Sequence, residues 1–413
     1  MSKLFFVLTS LLMLAVLARI LLSFTYPAVL KNGQQLNFTT RIQSAPTYSF
    51  GRISFPVSYA NGFGSTTLQI ITDNDTLVYG QEIKISGRVK EKVLQNKRPV
   101  MTMYFPIIAS TNSPTEMPMR FAQEIRGRVM STYARALSQD EAGLLVGIVL
   151  GVKEPMSKSL TNAFKITGVM HVIAASGMNV TMVSGFLVSL LGRFFRRRYV
   201  CTLTILVLGI YCFLAGFQPS IVRATIMGVL MLLGQVWGRQ YSGFYGLFLA
   251  GSGMLLLNPT LVQDVGFQLS FASSLGILTL HPHISHVPFL GEDLATTISA
   301  QVATLPILLV TFGQYGLLSI LANALVLWTV APLMILGGIG ALIGLVLQPL
   351  GSILSLLSLP LLWYFEKVIL WLGNFGWTIS LSSIPIVLVV GYYGIIMSAV
   401  LFLKIRKSSI DQV

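Results

Sequence analysis

Hydrophobic positions follow two rhythms along the chain. Up to about residue 25, and again from about residue 168, apolar residues form long runs such as LFFVLTSLLMLAVLARILLSF and IPIVLVVGYYGIIMSAVLFL. A hydrocarbon core about 30 Å thick takes roughly 20 helical residues to cross. The runs predict spanning helices at about 168–192, 200–217, 219–237, 242–257, 264–280, 294–312, 316–346, 351–372 and 384–403. With the first run these make ten crossings, and a break is expected in 316–346 near Pro332, Gly337 and Gly338. Between Tyr26 and Arg135 the rhythm shortens to alternation, in SFGRISFPV, STTLQIIT, EIKISGRVKEKV and VMTMYFPI, punctuated by Asn61-Gly62, Asp73-Asn74 and Tyr79-Gly80. Period-2 patterning between turn residues predicts four or five strands, a small β-barrel of OB type.

The first run (1–25) carries Lys3 and no Ala-x-Ala site follows, so an uncleaved anchor with Lys3 cytoplasmic is expected. The alternating segment (26–135) is too polar for lipid, and the anchor places it outside the cytoplasm. In 136–166, Ser138-Gln-Asp-Glu141 is a capping box opening a helix to about Gly151, too short to span. With the amphipathic SKSLTNAFKIT it is expected to lie along the interface. Residues 167–405 form the multi-spanning domain.

Composition sharpens this. The 413 residues are 54% hydrophobic and 10% charged, which fits a polytopic α-helical membrane protein with a small extracytoplasmic β-rich domain. The net charge of +14 falls partly on cytoplasmic flanks, at Arg193-Phe-Phe-Arg-Arg-Arg198, Arg239 and Lys404-Ile-Arg-Lys407, which puts the C-terminus inside. The segment 26–135 holds thirteen Lys and Arg against six Asp and Glu, an excess of seven. Either a solvated surface or an anionic ligand accounts for that excess. On a strand pair, Lys84, Arg88, Lys90, Lys92, Lys97 and Arg98 would suit a phosphate backbone, with Tyr48, Phe50, Tyr59 and Phe63 as stacking platforms. Cys201 and Cys212 share one helix; eleven residues rise about 16 Å, past the roughly 7 Å Cα limit of a disulfide.

Polar groups inside the spans are costly and need a reason. GVMHVIAASGMNVTMVSGF (168–186) holds His171, Ser176, Gly177 and Asn179 between glycines. It reads as a broken helix beside a wet path, or as a small-residue packing face. In AGFQPSIVRATIM (215–227), Pro219 opens a helix that Ser220 is expected to cap, four residues before Arg223. An arginine at mid-span costs about 2.5–3.5 kcal/mol on an insertion scale, so it needs a partner or water. NPTLVQDVGFQLSFASS (258–274) brings in Asp264, Gln268 and Ser270, and Asp264 is the natural charge partner of Arg223. Gln301, Pro306 and Asn323 repeat the theme of a proline break beside amides.

Enzyme chemistry is thin. Ala174-Ala-Ser176-Gly177 is similar to the serine motif of rhomboid intramembrane proteases, but no later span supplies a His and His171 lies about 140° away on a regular helix. His281-Pro-His283-Ile-Ser-His286 has the HxHxDH spacing of metallo-β-lactamase-type hydrolases, with Ser285 where Asp should stand; it reads as loop histidines. No catalytic set, metal or cofactor is expected, and no Walker loop supplies a motor.

Four elements in order resemble the ComEC competence family. They are Thr167-Gly168-Val-Met-His171-Val-Ile-Ala174-Ala-Ser176-Gly177-Met-Asn179-Val, Gly216-Phe-Gln-Pro219-Ser220-Ile-Val-Arg223-Ala224, Asn258-Pro259 through Asp264 to Gly266-Phe-Gln268-Leu-Ser270-Phe271, and Gln301 to Pro306 with Phe312-Gly313 and Asn323. The family often has His where Asn179 stands. Many members add a metallo-β-lactamase-like domain that is not found here, so strand degradation is expected from another protein. The resemblance implies an inner-membrane channel for single-stranded DNA in transformation, a passive conduit served by a separate DNA receptor, a cytoplasmic helicase-like motor and a nuclease. His171, Ser176, Gly177, Asn179, Pro219, Ser220, Arg223, Asp264, Gln268, Ser270, Gln301 and Asn323 would line or shape its path. A small-solute transporter and an intramembrane serine hydrolase are the alternatives.

Overall fold

The alternating segment does form strands. The computed structural model describes residues 3–25, 30–42, 47–49, 52–61, 64–73, 77, 82–93, 99–110, 117–152, 156–173, 176–286, 291–381 and 385–410. After helix α1 (Lys3–Thr25) come β1 (Gln35–Arg41), β2 (Thr47–Ser49), β3 (Arg52–Asn61), β4 (Gly64–Thr72), β5 (Glu82–Val93), β6 (Pro99–Tyr104) and β7 (Ile107–Ser110). Ile53, Phe55 and Val57, Leu68 and Ile70, and Ile83, Ile85 and Val89 alternate inward and are buried. The order is β1-β5-β6-β4-β3-β2, with β7 also on β5; β4 and β6 run parallel. β5 is the hub. Its first half pairs with β1 from Arg41↔Glu82 to Gln35↔Arg88, its second with β6 from Val89↔Met103 to Val93↔Pro99. Seven strands appear where alternation predicts four or five, because the short β2 and β7 carry too few residues to show the period.

Lys84, Arg88 and Lys90 share the outward face of β5 and are exposed. The Lys92 side chain, and Lys97 and Arg98 entirely, lie outside the described residues, as do the Tyr48 side chain, Phe50 and Phe63. Tyr59 is no free platform. It packs edge-on against Phe38, centroids 5.0 Å apart, over the sheet core.

Helices follow: α2 (Met117–Ala134), α3 (Gln139–Leu150), α4 (Lys158–Thr167), α5 (Met170–Ile173), α6 (Gly177–Leu191), α7 (Arg197–Leu214), α8 (Pro219–Val236), α9 (Gly243–Leu257), α10 (Val265–Ile284) and α11 (Glu292–Phe312). Then come β8 (Gln314–Gly316), α12 (Ser319–Val346), α13 (Gln348–Ser355), α14 (Leu359–Asn374), β9 (Thr378–Ser380), paired antiparallel with β8, and α15 (Ile386–Ile410). The capping box forms: Glu141 N donates to Ser138 Oγ (3.4 Å) and Ser138 N to Glu141 Oε2 (2.9 Å). α4 is one-faced, burying Leu160, Ala163 and Phe164. α3 is not amphipathic, since every residue from 142 to 150 is buried among α2, α12 and α14. It is the core helix around which Tyr133, Phe164, Val330 and Phe365 gather.

Among the described residues, five stretches are long and apolar enough to cross a membrane: α7, α8, α11, α12, and α13 with α14 (Gln348–Asn374). The chain is a multi-pass membrane protein. Four of the other expected spans hold shorter apolar stretches (Thr9–Leu21, Gly177–Leu191, Gly243–Leu257 and Val387–Phe402), whereas α10, over the expected 264–280, falls in neither group. Cys201 and Cys212 are buried and unbridged on α7.

The proline breaks do not occur. α12 is continuous through Pro332, and α11 through Pro306. In α12 the glycines serve close approach instead: a Cβ on Gly337 would stand 2.7 Å from Leu145 Cδ1 of α3, and on Gly344 2.6 Å from Thr132 Cγ2 of α2. In α11, Pro306 has no N–H for Val302 O. Tyr392 of α15 supplies the missing donor, its hydroxyl 2.9 Å from Val302 O, and the Tyr393 hydroxyl reaches Ala303 O at 2.9 Å. Tyr392→Phe therefore leaves a carbonyl short of a donor, and thermal unfolding of the purified protein should show a loss of about 1–3 kcal/mol.

Candidate functional site

The site begins where α4 stops. Gly168 is left-handed (φ 69) and lies against Ser319 of α12, α5 adds one turn, and Ser176 in extended conformation starts α6. The expected interruption is present. Ser176 Oγ donates to Asn179 Oδ1 (3.0 Å), and Asn179 Nδ2 donates to Ile148 O (3.0 Å) at the end of α3, where helix carbonyls run out of partners. Gln218 Nε2 donates to Gly151 O (3.0 Å), and Arg126 Nε to Leu214 O (2.6 Å). Side-chain bonds thus tie the break to α3, and tie α2 and the end of α3 to the turn between α7 and α8. His171 is exposed, and its Nδ1–H donates to Gly168 O (3.1 Å). Among the described residues no hydrogen bond links it to Ser176, so the serine-hydrolase alternative gains no base.

Arg223 is the second part. Gly216 (φ 79) and Phe217 (φ 51) turn the chain, and Pro219 is the first residue of α8. The cap position falls on Gln218, not Ser220, because a proline is best placed at N1, where no N–H is needed. One turn on, Arg223 is only 7% exposed. Its Nη1 donates to Ser270 O of α10, its Cζ stands 5.9 Å from the Phe271 ring centroid, and its Nη2 faces Gly177. A Cβ on Gly177 would meet that nitrogen at 2.7 Å.

The expected pairing with Asp264 does not form. Asp264 caps α10, its Oδ1 accepting from Phe267 N (2.7 Å), and it is exposed. Gln268 Nε2 turns back to Val262 O (2.7 Å) in the 3-10 turn Pro259–Gln263. Arg223 therefore has no carboxylate among the described residues. Two buried polar atoms at this contact lack hydrogen bonds, Arg223 Nε and Ser270 Oγ; the Tyr241 hydroxyl, also without one, packs over Gly246 of α9.

A third cluster joins α11 to α12. Gln301 Oε1 accepts from Tyr315 OH (2.7 Å), and Ser319 Oγ, with one proton to give, stands 2.8 Å from Tyr315 OH and 3.2 Å from Gln301 Oε1. Asn323, one turn beyond Ser319, is buried with its Oδ1 unpartnered. Tyr241 and Tyr315 lie in short links between expected spans and Ser319 in an apolar run, and the sequence singles out none of them. His281 and His283 belong to the last turn of α10 rather than to a loop, and no three His, Cys, Asp or Glu converge among the described residues. The structure brings Gly177, Arg223 and Ser270 into contact and ties Ser176 to Asn179. It sets Gln301 apart with Ser319, and leaves Asp264 at a helix end.

Fold and site define a multi-pass helical membrane protein with an N-terminal β-sheet region and a buried arginine facing a helix break. The chain belongs to the Competence protein family, which it matches over residues 148–406. All twelve candidate path residues fall inside that match and the six basic residues of the sheet region outside it. ComE operon protein 3 of Bacillus subtilis (strain 168) is 29% identical over 203 residues, 49% of this chain and 26% of the relative. Recombination protein 2 of Haemophilus influenzae is 30% identical over 36% of this chain and 19% of its own. Competence protein ComA of Neisseria gonorrhoeae is 25% identical over 61% of this chain and 37% of its own. The matches thus span well under half of these relatives.

Proposed function

We propose that the chain is a passive conduit for single-stranded DNA across the cell membrane during transformation. Its family and the competence names of its relatives support a role in DNA uptake. The observation that carries the finer reading is Arg223: a cation kept inside the helical domain with no carboxylate among the described residues, its own Nε and the Ser270 hydroxyl both lacking acceptors. A polyanion crossing hydrocarbon needs such donors, and a protein built only to pack would neutralise them. On this reading residues 26–135 face outward as an OB-like receiving domain, the C-terminus faces the cytoplasm, and a separate motor and nuclease supply energy and degradation. The test is internalisation of labelled DNA by a strain lacking this protein. Uptake should fall to background, and wild-type uptake would reject the role.

The sheet region would meet the strand first. Lys84, Arg88 and Lys90 form one exposed row on β5, spaced to follow a backbone rather than to read bases. Binding of oligo-dT to the full chain in vesicles should weaken with salt, at a log–log slope of about −0.7 per phosphate neutralised. Replacing the three by Gln should flatten the slope by about 2. A slope unchanged by the substitutions would remove this row from the DNA path.

A further inference from the structure

We infer that Arg223, the first turn of α6 and Ser270 form a binding site for one phosphodiester group of a nucleic-acid strand. For its ligand the inference rests on the conduit reading above. A helix N-terminus carries about half a positive charge on its free N–H groups. At α6 these groups have no side-chain cap, because Ser176 spends its hydroxyl on Asn179. The guanidinium of Arg223 is directed at this same end, with Nη2 against Gly177. The guanidinium thus stands against the half-exposed first turn of α6, and among the described residues no carboxylate is bonded to it. Glycine is what lets the guanidinium stand there, since a Cβ would occupy its place.

The unused donors point the same way. Arg223 is more than nine-tenths buried, yet its Nε has no acceptor, and neither has the Ser270 hydroxyl. Both are donors, and Asp264, the nearest acidic residue in sequence to Ser270, is committed to capping α10. A phosphodiester offers two unesterified oxygens sharing one negative charge, each an acceptor of several hydrogen bonds. It would neutralise the guanidinium, complement the helix end and take up the free N–H and O–H groups together. A carboxylate side chain would have been the simpler partner for a purely structural arginine. A site left open to an exchangeable anion suits a path through which successive phosphates pass.

The test reads proximity, not transport. The full chain, with 15N-labelled arginine, is placed in phosphatidylcholine vesicles with a phosphorothioate oligo-dT, whose 31P line is resolved from that of lipid phosphate. The guanidinium signal missing from Arg223→Gln, or from Arg223→Lys should the first variant fail to insert, identifies Arg223. That signal should be dephased by the oligonucleotide phosphorus. No dephasing from any phosphorus overturns the site. Dephasing by lipid phosphate alone, or equally by inorganic phosphate without oligonucleotide, overturns its assignment to a nucleic-acid strand. A chain that shows the contact but moves no DNA keeps the site and loses the conduit; one that moves DNA without the contact does the reverse.

Discussion

Uptake of labelled DNA falls to background in Arg223→Ala, while the protein remains in the membrane at wild-type abundance. The second half of that expectation comes from what Arg223 bonds to. Its one acceptor, Ser270 O, also receives Ser273 Oγ at 3.0 Å, so truncation orphans no carbonyl. Removing a buried cation that has no counter-charge relieves desolvation. Stability therefore has no strong reason to fall, and lost uptake reads the path itself. Arg223→Lys keeps the charge but replaces a planar fork by a compact ammonium, so at least a tenfold reduction is expected rather than complete loss. DNase-protected label per cell, beside an immunoblot of the membrane fraction, makes the measurement. Unchanged uptake in Arg223→Ala would remove this side chain from the route.

Local chemistry made parts of this site legible in the sequence. Gly168 and Ser176-Gly177 announced a helix interruption, and Pro219 fixed the start of α8, because both act through their own backbone. The partner of Arg223 was not legible. Charge complementarity favoured Asp264, but that residue stands at the start of α10, where free N–H groups three residues away outcompete a distant guanidinium. The prolines misled for a related reason. Pro306 does remove a hydrogen bond, but whether a helix then bends depends on a donor from elsewhere, here Tyr392, almost ninety positions on. In the sheet, β2 and β7 are strands only because longer neighbours pair with them. Tyr241 stands in a short link between spans and Ser319 in an apolar run, and neither position carries a signal of its own.

Gly177→Ala should change sign with the residue at 223. In the wild type the added methyl would sit 2.7 Å from Arg223 Nη2 and 3.4 Å from Ala224 Cβ. The guanidinium must then leave the end of α6 or the helix must shift, a strain of about 1–3 kcal/mol. In Arg223→Ala the obstructing nitrogen is gone. Gly177 has no positive φ among the backbone exceptions, so alanine accepts its conformation. There alanine gains up to about 1 kcal/mol from helix propensity, and the same substitution becomes neutral or stabilising. Thermal unfolding of the four proteins in one detergent closes the cycle, and the difference between the two Gly177→Ala effects is the coupling of the two positions. Uptake supplies an independent reading, since Gly177→Ala leaves every donor in place and only moves Arg223. A loss of uptake in that variant ties transport to where the guanidinium stands, not merely to its presence. Equal effects in both backgrounds would mean that Arg223 and the first turn of α6 do not touch.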